Sequence, residues 1–213
     1  YGPYGVAIPE LRPPKETAAT GLQLFYVGRI DWPDKRVHDL IPILDELEAR
    51  AVPFTLTVIG SGPDEGEFRR RMRARIQDGS VQLIGRLAAA EIWPRIYAAG
   101  GVLLLTSWTD TGPFVVFEAM SWQVPVVSSK YYGSGLERAL RHTETAMLFP
   151  IGDAAAAADC VRQLWTDQSL QRKLIENGSH MVRDRYSIDT SVVEWDRVFR
   201  SVLELPMRIG LPA

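Results

Sequence analysis

The sequence predicts an α/β fold, a parallel sheet of about six strands flanked by helices and followed by a helical C-terminal segment. Three observations carry this reading. Short apolar runs recur at regular intervals, several closing on a glycine (Gly28, Gly60, Gly85), and each is followed by a longer amphipathic stretch, the rhythm of βαβ units. The runs are apolar at successive positions instead of alternating, as in strands covered on both faces. Beyond Asp153 no such run returns, and the pattern becomes wholly helical.

In chain order, Leu22 to Val27, Phe54 to Ile59, Val81 to Ile84 and Val102 to Leu105 read as buried strands, with Val124 to Val127 and Ala146 to Phe149 completing the sheet. Helices are expected over Val37 to Ala51, Asp64 to Gln77, Ala88 to Ala98 and Pro113 to Trp122, with a shorter one over Leu136 to Arg141. Pro42 lacks a backbone N–H, so it bends the first of these or delays its start. The last helices span Ala154 to Trp165, Gln168 to Arg185 and Ile188 to Leu205, and Asp153, Asp167 and Ser187 are suited to cap them. Residues 1–20 hold four prolines and little periodicity, a linker in which only Val6 to Ile8 is strand-like. Residues 21–205 form one folded unit and 206–213 a tail. Trp93, Tyr97 and Trp165 are expected to pack helices on the sheet.

Composition excludes several classes. The 213 residues are 46% hydrophobic and 23% charged, enough for one α/β domain with a substantial core. A formal net charge of −2 gives no global attraction to nucleic acid. The basic run from Arg69 to Arg75 spreads around more than half a helix and reads as a solvated face. Cys160 stands alone, so no internal disulfide can form, and it fits a small core position. No stretch approaches the ~18 apolar residues of a membrane span. The turn after Gly28 lacks a Gly-x-Gly-x-x-Gly fingerprint, which argues against a dinucleotide-dependent dehydrogenase.

In a parallel sheet, ligands bind outside the carboxyl ends of the strands. Gly28 and Arg29 follow the first strand, Gly60 and Gly62 the second, Gly85, Arg86 and Leu87 the third, and the segment from Ser107 to Gly112 the fourth. The fourth connection sets two carboxylates, Asp110 and Glu118, on either side of Thr111-Gly112-Pro113-Phe114. Gly112 suits a turn and Pro113 a helix start, leaving the amides near Val115 free for an anion at the positive end of the helix dipole. Arg29 and Lys35 are cations placed to offset a diphosphate, and Glu118, about one and a half turns into the helix, can accept hydrogen bonds from sugar hydroxyls. The plainer alternatives are a cap and a solvated helix residue for the carboxylates, and surface charges beside a Trp32-Pro33 turn for the cations.

Asp110, seven intervening residues and Glu118, followed by Ala119-Met120 and Pro125-Val126-Val127-Ser128, resemble the Glu-x7-Glu motif of retaining glycosyltransferases of group 1, or family 4. Gly28-Arg29 with Lys35, Val58 to Pro63, Val81 to Gly85, Leu148-Phe149-Pro150 and Gly152-Asp153 are similar to further family segments in the same order. The resemblance implies a Rossmann-like domain that is one half of a GT-B fold, with an N-terminal acceptor-binding domain as its partner and little turnover by this half alone. It implies a UDP- or GDP-linked sugar as donor, a hexose as the transferred group and a saccharide or lipid-linked acceptor, as in polysaccharide biosynthesis. Arg29 and Lys35 would hold the diphosphate, Glu118 the ribose and Asp110 the transferred sugar, and the backbone at Arg86-Leu87 would meet the base. No Asp-x-Asp pair occurs and the three histidines are scattered, so neither metal nor cofactor is expected. The location implied is cytoplasmic, with any contact at a membrane made by the other half. The sequence departs from the family at Asp110, at Arg36 where glycine is usual, at Trp122-Gln123 and at Ala146-Met147. These departures keep open a non-catalytic nucleotide-sugar or partner-binding module with a degenerate site.

Overall fold

A computed structural model of the chain describes residues 5–10, 21–110, 114–133 and 139–203. Six strands, β1 (Leu22–Val27), β2 (Phe54–Ile59), β3 (Val81–Gly85), β4 (Val102–Leu105), β6 (Val126–Ser129) and β8 (Met147–Phe149), form one sheet in the order β3-β2-β1-β4-β6-β8. Every pairing is parallel. Order reverses across β1 and β4, which are neighbours in the sheet but distant in sequence, so the crevice of a doubly wound sheet opens there.

Successive strand residues serve opposite faces. Leu24 and Tyr26 of β1, with Val102 and Leu104 of β4, join one apolar cluster, and Phe25, Leu103 and Leu105 join the other. The first face is covered by α1 (Leu40–Ala49), α2 (Glu65–Arg71), α3 (Arg73–Gln77) and α6 (Ala154–Thr166), the second by α4 (Ala89–Ala98), α5 (Phe114–Ser121) and α7 (Gln168–Arg185). Both faces are dry, which explains the unbroken apolar runs.

The differences from the sequence reading have local causes. Val37–Asp39 is a 3-10 turn and the α-helix begins at Leu40, so Pro42 falls in its first turn, where its missing N–H is harmless. The second helix breaks at Met72, whose backbone (φ −90°, ψ 9°) has left the helical range. Gln123 adopts φ 56° and the Val124 N–H closes on Ala119 O, so pairing of the fifth main strand is delayed to Val126. Val6 to Ile8 contributes a single bridge, Val6 to Ser187, in place of a strand. Ala139 to Arg141 is not helical, and Leu136 to Arg138, like most of the 1–20 linker and the whole 206–213 tail, lies outside the described residues. A two-residue parallel ribbon, β5 (Thr109–Asp110) with β7 (Tyr132–Gly133), was not anticipated. Trp93 is buried, whereas Trp165 is 42% exposed and belongs to neither apolar cluster.

The caps follow the sequence: Asp153 accepts from Ala156 N, Asp167 from Ser169 N and Leu170 N, and Ser187 Oγ from Thr190 N. The basic run is answered locally by acids. Arg69 pairs with Glu65, Arg70 with Glu67, and Arg75 with Asp45 and Glu48.

At the carboxyl ends of β1, β2 and β3 the loops are laced by main-chain bonds, Gly28 N to Ile59 O, Ile30 N to Ser61 O and Gly60 N to Gly85 O. Gly60 lies at φ 146°, and a Cβ there would stand only 1.9 Å from the Gly28 carbonyl oxygen. A Cβ on Gly62 would strike the backbone of Ile30. These glycines are required by close approach as well as by the turn. Gly60→Ala should therefore lower unfolding free energy by about 2–4 kcal/mol, measured by urea denaturation.

Candidate functional site

Two adjoining cavities line the carboxyl rim and share Val27 and Gly28. The larger, about 470 Å³, is walled by Arg29, Gly60, Gly62, Arg86 and Leu87. The smaller, about 210 Å³, is walled by Tyr26, Lys35, Ser107, Asp110, Phe114 and Val115. The residues picked from four separate strand ends thus gather on one rim. Gly85 lies beside the larger cavity, since its carbonyl accepts from Gly60 N. Glu118 walls neither cavity; it lies one turn beyond Phe114 on α5. Thr111, Gly112 and Pro113 fall outside the described residues, so the expected anion seat at that helix start is not described.

The loop from β1 to α1 is shaped by Tyr26. Its buried hydroxyl donates to Arg29 O at 2.7 Å, and burial drives its pKa well above the ordinary phenol value, so it acts as a neutral donor. Asp31, also buried, accepts from Lys35 N at 2.9 Å and from the Arg29 guanidinium. Arg29 additionally reaches Asp34 at 2.7 Å, and these carboxylates raise its pKa further. Lys35 Nζ meets Asp110 Oδ2 at 2.6 Å across 75 residues of sequence, both side chains being largely buried. Thr106 Oγ1 donates to Lys35 O at 2.8 Å and fixes the loop to the end of β4.

Each predicted cation is thus already held by a carboxylate. The segment from Arg29 to Asp39 carries three basic and three acidic residues, among them Asp31, Asp34 and Asp39, which sequence reasoning passed over. Arg36 occupies the left-handed region (φ 46°, ψ 42°), which explains why glycine suits this position, and two bonds to Asp39 at 2.6 and 3.0 Å hold it there. Arg86 is exposed on the wall of the larger cavity and forms no ion pair among the described residues.

Glu118 is half-buried, and desolvation raises its carboxyl above the ordinary value, opposed in part by the nearby Trp93 indole. Trp93 Nε1 is itself buried with no partner in hydrogen-bonding geometry. The native state therefore favours the neutral carboxyl. The stability contribution of this residue is full below the unfolded-state pKa and is lost as pH rises through the native one. Glu118→Gln should accordingly be more stable than the parent at pH 7.5, with the difference vanishing near pH 4 in denaturation curves, roughly the free-carboxyl range. Lys35→Ala, which leaves the sheltered Asp110 carboxylate without its ammonium, should cost about 1–3 kcal/mol by the same measurement, and Lys35→Ala/Asp110→Ala should recover part of it.

A model of the family described as glycosyl transferases group 1 matches residues 21–167, more than half of the chain. N-acetyl-alpha-D-glucosaminyl L-malate synthase of Bacillus anthracis is 24% identical over 173 residues, covering 79% of this chain and 43% of that protein. Phosphatidyl-myo-inositol mannosyltransferase of Mycobacterium leprae is 27% identical over 207 residues, covering 94% and 53%. The chain thus spans about half the length of the curated relatives it matches. Among solved structures, Anabaena Alr3699/HepE in complex with UDP and glucose superposes with a TM-score of 0.70 at 20% identity, over 87% of this chain and 49% of that one. With its six-stranded parallel sheet, its helices on both faces and this match, the chain belongs to the group 1 glycosyltransferases and has the Rossmann-like architecture of one half of a GT-B fold.

Proposed function

We propose that this chain is the donor-binding half of a retaining glycosyltransferase, moving a hexose from a UDP- or GDP-linked sugar to a saccharide or lipid-linked acceptor. The observation that carries the reading is the meeting of Lys35 and Asp110 beside Gly28 at the topological switch of the sheet. The UDP and glucose held by the Anabaena neighbour support the donor class.

In this reading the diphosphate exchanges into the existing ion pairs. Its oxygens take the Lys35 ammonium from Asp110 and share Arg29 with Asp31 and Asp34, while Arg86 supplies a cation that pairs with no carboxylate among the described residues. Asp110, released, accepts a hydroxyl of the transferred sugar, and Glu118 accepts the ribose hydroxyls. As the glycosidic bond to the β-phosphate breaks, these fixed cations and the α5 dipole stabilise the departing nucleoside diphosphate. An acceptor and any general base come from a second lobe. α8 (Ile188–Leu203) supports such a lobe, because Ile188, Val192, Phe199 and Leu203 are 48%, 61%, 59% and 84% exposed along one stripe.

The paired state of both cations also favours a second reading, a binding module whose site no longer turns over. Calorimetric titration with UDP, GDP and ADP should show one nucleotide binding the chain. Arg29→Ala, Lys35→Ala and Arg86→Ala should each weaken it by about 1.5–3 kcal/mol. Unchanged affinity in all three would reject the diphosphate assignment. Transfer by the two-lobed protein, lost in Glu118→Ala, would select the enzyme over the module.

A further inference from the structure

Beyond Asp110 the rim carries three exposed aromatic rings that the donor reading leaves unused: Trp32 at 43%, Trp108 at 46% and Tyr132 at 64% exposure. They are not scattered. Trp108 precedes β5 and Tyr132 begins β7, so the ribbon that pairs Asp110 with Gly133 also sets these rings together, their centroids 5.4 Å apart and inclined at 54°. The Arg36 guanidinium lies 4.8 Å from the centroid of Trp32 and 6.0 Å from that of Trp108, tying the third ring to the other two. The backbone is fixed as well, by Trp108 N to Asp34 O at 2.7 Å, Tyr132 N to Trp108 O at 2.8 Å and Trp32 N to Asp64 Oδ2 at 2.6 Å. A non-glycine residue kept in the left-handed region at Arg36 places the cation that braces them.

We propose that Trp32, Trp108 and Tyr132 form a stacking platform for a neutral pyranose ring of a glycan, adjoining the sugar end of the crevice. A pyranose presents one apolar C–H face and a rim of hydroxyl donors. The rings take the face, and the half-exposed Asp34 carboxylate, on the residue whose carbonyl fixes Trp108 N, has lone pairs beyond its bond to Arg29 with which to accept hydroxyls. A nucleobase fits less well, because the Arg86-Leu87 end of the crevice lies three strand spacings away, at β3 as against β4, or ~14 Å. The inference deepens the glycosyl-transfer reading and rests on it for the choice of a sugar over another flat-faced ligand.

The test is saturation-transfer difference NMR of the 213-residue chain with a panel of neutral oligosaccharides built on glucose, galactose, mannose and N-acetylglucosamine. At least one should show transfer to its ring C–H protons. Trp32→Ala and Trp108→Ala should each cut that signal at least ~5-fold, Trp108→Phe should keep most of it, and nucleotide affinity by calorimetry should change less than ~2-fold in all three. Absence of signal across the panel would overturn the platform, as would a signal retained in the alanine variants or a loss of nucleotide affinity instead, which would make it a base platform. A saccharide signal that depends on the rings in a chain that binds no nucleotide would uphold the platform and reject the donor reading.

Discussion

Because all six main strands run in one direction, each loop that leaves a strand's carboxyl end emerges on the same rim, and the polypeptide must return by a helix across one face or the other. That constraint brings Lys35 and Asp110 within 2.6 Å, and it also buries both faces of the sheet. The core and the site are two consequences of one topology. Cover on both sides makes the strands largely apolar, and the carboxyl rim is an edge where charged side chains meet without crossing the core.

The electrostatics of the rim are those of a site at rest. Arg29 and Lys35 sit in carboxylate partnerships that keep the β1–α1 loop close to neutral and hold the cations in fixed places. Such pairs contribute little to net stability, since desolvation offsets much of the attraction, but they define position. In the proposed reading, a polyanion entering here replaces the carboxylate partners of Arg29 and Lys35 with its own oxygens, so its binding is a difference between two similar arrangements. Net charge and basic runs are therefore poor guides to this kind of site. In the longest basic run, on α2 and α3, Arg69, Arg70 and Arg75 are paired with Glu65, Glu67, Asp45 and Glu48.

Strand bounds were legible because burial on both faces leaves no ambiguity of period: Leu22–Val27, Phe54–Ile59 and Val102–Leu105 read directly from apolar runs. Gly28, Gly60, Arg29, Lys35 and Asp110 were legible as loop residues that follow such runs. What escaped was tertiary. Asp31 and Asp34 look like ordinary turn acids until Arg29 is seen between them, and Trp108 and Tyr132 are distant in sequence until β5 pairs with β7. Glu118 was placed on the correct helix, yet neither its half-burial nor the adjacent Trp93 could be read from a sequence pattern. The exposure of Trp165 was missed because its helix shows the same apolar spacing as its buried neighbours.

Main-chain bonds from Gly28 to Ile59 and from Ile30 to Ser61 tie the first two loops together, and the backbone leaves no room for a Cβ at Gly60 or Gly62. Around Gly85, by contrast, nothing stands within 4 Å of where a Cβ would point, and only its φ of 75° ties the position to glycine, while Arg86 beside it is exposed. In the proposed donor reading, the third loop thus meets the ligand with side chains, those of Arg86 and Leu87, while the glycines of the first two loops offer it a backbone cradle.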